Sequence, residues 1–276
     1  MLSMEQSAIL HKIAQELKAV QDQCRQTEPF SSRFENFGIE DAYLVADSIH
    51  KMRMKKGEAP IGRKIGFTNP EVCSFYGVRE PIWGYVYDST AFYHKSSTAL
   101  YSLGQFTEPK IEPEIIVHFH SSPQVGTDPA SILACIDWVA HGFEIVHSHF
   151  PNWEFQAADT IADCGLHAML LVGEPVEIDR LGPEVLSDLE TFTISLSCND
   201  NELERGQGSN VLMNPIKAVK HLIDVLSKQQ YAPQLQANEL VTTGSLTAAL
   251  PVKSGQTWST KLDGIALPGI SASFEI

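Results

Sequence analysis

Lys110-Ile111-Glu112-Pro113-Glu114-Ile115-Ile116-Val117-His118-Phe119 reads at the two-residue period of a β-strand. Ile111, Pro113, Ile115, Val117 and Phe119 share one face; Glu112, Glu114, Ile116 and His118 share the other. Side chains two apart on a strand lie roughly 6.6 Å apart along it, close enough for two carboxylates to share a divalent ion. A second strand-like run, 143–148, carries Glu144 in an apolar setting. Three carboxylates without a Cys/His cluster favour a hard, oxygen-preferring ion such as Mg²⁺ or Mn²⁺ over Zn²⁺. A half-exposed strand with solvated acids would carry the same letters, so the remaining chain has to decide between the two.

The chain has 276 residues, 43% of them hydrophobic, enough for a substantial core. A formal net charge of −14 argues against non-specific binding to nucleic acid or to an anionic membrane surface. Cys24, Cys73, Cys135, Cys164 and Cys198 are scattered and odd in number, which indicates neither a disulfide framework nor a zinc site. No basic segment with an apolar run opens the chain, and no window reaches membrane-spanning length. The expectation is a soluble cytoplasmic protein.

Ile9, Ile13, Leu17 and Val20 recur at helical spacing over 5–24, and Ala42, Val45, Ile49 and Met52 do so in a second helix that Gly57 stops. Residues 31–38 between them read as a loop. Strands are expected at 63–67, 82–87, 99–103, 110–119, 143–148, 168–172, 191–198, 240–243, 257–262 and 270–274. Helices are expected at 129–141, through Ile132, Cys135, Ile136 and Val139, and at 214–228, where Asn214-Pro215 is a good cap and first-turn pair. Strands outnumber helices without βαβ alternation, which predicts an α+β fold. A helical N-terminal region, 1–60, precedes a β-rich core, 61–276, in one globular unit.

Lys64 lies in Gly62-Arg63-Lys64-Ile65-Gly66-Phe67-Thr68; beside a group of acids it stays protonated and can bind a carboxylate or deliver a proton. In Thr243-Gly244-Ser245-Leu246-Thr247, hydroxyls flank a glycine turn that can hold a small carboxylate. An edge-strand lysine and an ordinary Ser/Thr turn are the commoner uses of these letters. His118 shares a face with Glu114 and is a candidate for supporting the ligands, while His120, His147, His149 and His167 receive no role.

Taken together, Lys64-Ile65-Gly66-Phe67-Thr68, Ile111-Glu112-Pro113-Glu114-Ile115, Glu144-Ile145-Val146 and Thr243-Gly244-Ser245-Leu246-Thr247 resemble, in order and spacing, the hydratase/decarboxylase branch of the fumarylacetoacetate hydrolase superfamily. The resemblance runs from about Ala42 to the C-terminus. It implies a mixed β-roll with a helical N-terminal region, and Mg²⁺ or Mn²⁺ held by Glu112, Glu114 and Glu144. It also implies a catalytic Lys64, a small 2-oxo acid substrate contacted by Thr68, Ser245, Thr247 and Ile82, and a homo-oligomer.

Where hydratases of that branch carry a Gln-Pro-Asp-Phe-Gly-like segment, this chain reads Glu80-Pro81-Ile82-Trp83-Gly84, closer to the decarboxylase pattern. The usual Asp-Ser-Arg after the third acid is His147-Ser148-His149, and the usual Asp-Asn-Ala-Ser is Asp163-Cys164-Gly165-Leu166. The leading expectation is a metal-dependent lyase of the 2-keto-4-pentenoate hydratase type. Its alternatives are a 4-oxalocrotonate decarboxylase-like enzyme, a C–C bond hydrolase, and a metal and 2-oxo-acid binder without turnover.

Overall fold

The 110–119 stretch forms the axis of the molecule. The computed structural model describes residues 3–69, 80–94 and 99–276, so Cys73 lies outside the described residues. Strand β5, Lys110–Phe119, has the predicted bounds. On one side it pairs antiparallel, from Lys110↔Val146 to Phe119↔Ile136, with β6, Ile136–Val146. On the other it meets β11, Leu240–Ser245. The sheet extends through β1 (Pro60–Gly66), parallel to β11, to β2 (Ile82–Tyr87) at one edge. Beyond β6 lie β7 (His167–Val172) and β3 (Ala91–Tyr93), which pair in parallel. The short strands β8 (Val176–Glu177) and β12 (Leu250–Pro251) pair with β6 and β5.

A second sheet runs β10-β9-β13-β14-β4: Asn201–Gln207, Thr193–Cys198, Thr257–Asp263, Ser271–Glu275 and Leu100–Ser102. The sheets share an apolar layer in which Ile111, Phe143 and Ile145 join Leu196, Trp258, Ala272 and Phe274. The fold is α+β with mixed sheets, as expected.

Helices cover another part of the large sheet. Helix α1, Met4–Asp22, starts at Ser3, whose side chain accepts from the Gln6 N–H at 3.1 Å. It buries Leu10, Ile13, Leu17 and Val20; Ile9, expected on this stripe, faces solvent. The stripe is turned by one residue, because Leu10 and Ala14 complete the inward face. The expected loop contains one turn of helix, α2, Phe30–Arg33. Helix α3, Ile39–Lys55, ends before Gly57, whose φ of 96° only glycine adopts readily.

The helix expected over 129–141 is corrected. Only α4, Pro129–Leu133, is helical, and the chain from Ile136 is strand. Ile136, Val139 and Ala140 are buried while their backbone pairs with β5, so tertiary pairing outweighs helical spacing. Helices α5 (Ala157–Ala162) and α6 (Val185–Thr191) were not expected, whereas α7, Pro215–Leu226, is capped by Asn214 as predicted. Among the described residues no helix is long and apolar enough to cross a membrane.

Candidate metal centre

The β5–β6 register places Glu112 directly opposite Glu144, and alternation puts Glu114 one step further along the same face. One carboxylate oxygen from each of the three lies within 4.8 Å of the others. Glu114 and Glu144 are buried; Glu112 is half-buried and turned toward a cavity of ≈ 320 Å³.

Neighbouring elements fix these carboxylates in place. Glu114 Oε2 accepts hydrogen bonds from the Thr242 hydroxyl and from the Gly244 N–H at 2.8 Å. Gly244 has φ +107°, and a Cβ there would sit 1.9 Å from Thr68 Oγ1. Glycine therefore lets the β11 turn present its N–H while Thr68 closes over it. Glu144 Oε1 is held at 2.7 Å by His167 Nδ1, whose Nε2 lies 2.9 Å from Thr90 Oγ1. Lys64 Nζ donates to the Gly165 carbonyl at 2.8 Å and stands 3.3 Å from Glu144 Oε2.

Electrostatics make this a cation-demanding place. Burial, then Lys64 acting in opposition and the other two acids in support, leave the Glu112 pKa at about 8. Burial and Glu144 push Glu114 well above the ordinary carboxyl value, and burial raises Glu144 against the pull of Lys64. Burial acts to strip Lys64 of its proton, but the three carboxylates outweigh it and its pKa is raised. One ammonium thus faces three carboxylates. Glu114 Oε1 is buried and without a hydrogen-bond partner among the described residues, and buried Glu144 Oε2 has only the Lys64 ion pair. An unpartnered buried oxygen, and three carboxyls that ionise together only when a cation compensates them, fit a divalent ion with oxygen ligands.

The cavity wall contains Lys64, Thr68, Ile82, Glu112, Glu114, Ser245 and Thr247, and Glu144 joins two of them in the trio, so the predicted set converges with one exception. Thr68 Oγ1 is buried and has no hydrogen-bond partner among the described residues. Ser245 Oγ donates to the Thr247 carbonyl at 2.8 Å and Thr247 Oγ1 to that of Ala248 at 3.1 Å. The exception is His118. Its Nδ1 lies 2.7 Å from Asp137 Oδ1 and its ring stacks on Trp138 at 4.9 Å, opposite Leu240 in the sheet. Sharing a face with Glu114 does not bring it near, because four residues of strand span about 13 Å. His167 is the imidazole that supports the acids.

Three contributors escaped the sequence reading besides His167. Thr242 and Gly165 act through hydrogen bonds to side chains remote in sequence. Trp153 lines the cavity beneath Lys110, whose ammonium sits 3.7 Å from the ring centre. Two of these lie near residues already noted, Gly165 in the altered Asp163–Leu166 segment and Thr242 beside the glycine turn.

No protein-family model matches the chain. It is 28% identical over 242 residues to the 2-hydroxyhexa-2,4-dienoate hydratase of Comamonas testosteroni, covering 87% of this chain and 89% of that one. With 2-keto-4-pentenoate hydratase 1 of Dechloromonas aromatica the identity is 27%, over 99% and 98% of the two chains. The solved 4-oxalocrotonate decarboxylase of Pseudomonas putida G7, complexed with magnesium and adipate, superposes with a TM-score of 0.88 at 24% identity over 99% of each chain. A fumarylacetoacetate hydrolase family protein of Yersinia pestis gives 0.54 at 14% identity, covering 78% of this chain and 93% of its own. Over most of its length the chain is thus similar to 2-keto-4-pentenoate hydratases, a 2-hydroxyhexa-2,4-dienoate hydratase and a 4-oxalocrotonate decarboxylase, and it shares the fold of solved fumarylacetoacetate hydrolase family proteins.

Proposed function

We propose that this protein is a divalent-metal-dependent lyase acting on small 2-oxo or 2-hydroxydienoic acids, of the 2-keto-4-pentenoate hydratase type. Glu112, Glu114 and Glu144 would hold Mg²⁺ or Mn²⁺. The observation that supports the reading is the trio itself: three acids within 4.8 Å of one another, one buried oxygen of Glu114 without a partner, and Glu112 at the wall of a substrate-sized cavity.

When bound, the ion supplies a Lewis acid that stabilises negative charge on the C2 oxygen of a 2-oxo acid. The protein's own groups do the rest. Lys64, kept charged by its neighbours and anchored on the Gly165 carbonyl, is the proton carrier for a dienol becoming an enone. The unpartnered Thr68 hydroxyl, with Ser245 and Thr247, receives the C1 carboxylate. Ile82, Trp153 and Phe155 form an apolar wall that orients the carbon chain and limits water to the position from which it adds at C4.

One observation favours a second reading. Ile82 is 3% exposed in the wall where hydratases carry an acid, so no carboxylate stands there to activate water. An apolar surface against the distal carboxylate of a vinylogous diacid would instead favour its departure as carbon dioxide, as in a 4-oxalocrotonate decarboxylase. Parallel assays with 2-hydroxypenta-2,4-dienoate and 2-oxohex-3-enedioate separate the two. Consumption of the dienol with water added at C4 supports hydration, and carbon dioxide from the diacid supports decarboxylation. Metal and 2-oxo-acid binding without either product would leave an inert binder. The reading also has the enzyme act in the cytoplasm as a homo-oligomer, which light scattering on the purified protein tests.

A further inference from the structure

A second cavity, of ≈ 590 Å³, lies between α1, the end of α3 and the chain leaving β6, with His167 between it and the carboxylate trio. Two imidazoles in its wall are unaccounted for. His147 Nδ1 and His149 Nε2 are both buried and have no hydrogen-bond partner among the described residues. Their side chains are 8% and 1% exposed, and their ring centres are 4.2 Å apart with planes at 70°. An orphaned ring nitrogen inside a protein is costly unless something occupies it, and here there are two side by side.

The surroundings say which atoms are donors. His149 Nδ1 lies 2.7 Å from Asp163 Oδ2, and Asp163 Oδ1 is held at 2.9 Å by Gln21 Nε2. With the Nδ1 proton directed at a buried carboxylate, Nε2 is the nitrogen left to take a metal ion or a proton. This carboxylate–imidazole arrangement orients metal-ligating histidines and raises their basicity. His147 Nδ1 is likewise a nitrogen left open to a ligand. The His-x-His spacing supplies both rings from one short segment.

We propose that His147 and His149 form a second metal site, distinct from the carboxylate trio and taking a nitrogen-preferring divalent ion of the Zn²⁺, Co²⁺ or Ni²⁺ class, with Asp163 as the positioning residue. Two imidazoles select such ions over Mg²⁺, just as the oxygen-only trio selects the reverse. With metal–nitrogen bonds of about 2.1 Å, rings this close must part slightly to share one ion. His147 packs edge-on against Phe106 at 5.3 Å.

The test is a Co²⁺ titration of the EDTA-stripped, full-length protein, followed by calorimetry and by visible absorption, with and without saturating Mg²⁺. Wild type is expected to take up Co²⁺ in the presence of Mg²⁺ with a nitrogen-ligand visible spectrum. Glu114→Gln is expected to keep that uptake, while His147→Phe and His149→Gln each lose it and retain Mg²⁺-dependent behaviour at the trio. Asp163→Asn should weaken the Co²⁺ site by about 10- to 100-fold. Far-UV circular dichroism and retained Mg²⁺ binding establish that each variant is folded. No Co²⁺ uptake by wild type in saturating Mg²⁺, uptake abolished by Glu114→Gln, or uptake undiminished in both folded histidine variants would each overturn the proposal. Loss of Mg²⁺ binding in Glu114→Gln is a separate readout, so failure at one site is not mistaken for failure at the other.

Discussion

His167 Nδ1 stands 2.7 Å from Glu144 Oε1, and neither side chain has meaningful contact with solvent. Burial, with Lys64 and Arg53, keeps the His167 pKa well below its ordinary value, so the ring is neutral and donates from Nδ1. This bond occupies one oxygen of Glu144 and leaves Oε2 directed toward Lys64 and the cavity acids.

His167→Ala therefore should weaken Mn²⁺ binding by about 10- to 100-fold, the usual effect of removing a group that orients a ligand. His167→Asn, whose amide can donate from nearly the position of Nδ1, should recover most of the loss. Calorimetric Mn²⁺ affinities check this; equal affinity in all three proteins would show that His167 does not position Glu144.

Lys64→Met should reduce turnover by about 10²- to 10⁴-fold, the range for loss of a positioned proton carrier. Mn²⁺ affinity should hold or rise, because one positive charge leaves the neighbourhood of the trio. Steady-state kinetics with parallel calorimetry separates these effects, and unchanged kcat would remove Lys64 from the chemistry.

Gly244→Ala should destabilise the protein more than Gly255→Ala. Both positions have positive φ and both variants carry backbone strain on the order of 1–3 kcal/mol. At Gly244 the new Cβ also meets Thr68 Oγ1 at 1.9 Å, whereas nothing lies within 4 Å at Gly255. Urea midpoints should rank wild type, Gly255→Ala, Gly244→Ala, and only the last should also lose metal affinity.

The metal-free protein should lose stability as pH rises. The Glu112 pKa is about 8 against the ordinary carboxyl value of 4.5, so the folded state holds a proton that the unfolded chain releases between those values. That contribution is fully present below pH 4.5 and gone above about pH 8. A bound divalent ion favours the ionised carboxylates, so the Tm gain from saturating Mg²⁺ should grow from about pH 5 to about pH 8.5. A gain that is flat or shrinking over that range would contradict the assigned environment.

The trio was legible because it needs only local rules. Alternation places Glu112 and Glu114 on one face of β5, and the paired strand carries Glu144 at the matching register. His167 was not legible. A register irregularity between Ile145 and Val146 in the β6–β7 pairing sets where the start of β7 falls, and no pattern in the letters announces it. His118 failed for the opposite reason, since face-sharing is visible in sequence but the competing partner Asp137, on the neighbouring strand, is not. Residues 136–141 read as helix because Ile132, Ile136 and Val139 fit a helical stripe as well as a strand, and only pairing with β5 decides. Strand β10, largely polar at the edge of its sheet, has no buried face to leave a signal.

The most direct test of the account is the ultraviolet absorbance of freshly generated 2-hydroxypenta-2,4-dienoate with the protein in Mg²⁺ or in EDTA, with Glu114→Gln alongside. The account predicts loss of the dienol chromophore beyond spontaneous ketonisation in Mg²⁺ alone, with a 4-hydroxy-2-oxo acid as product and no activity in the variant. Equal rates with and without metal, or full activity in Glu114→Gln, would contradict it.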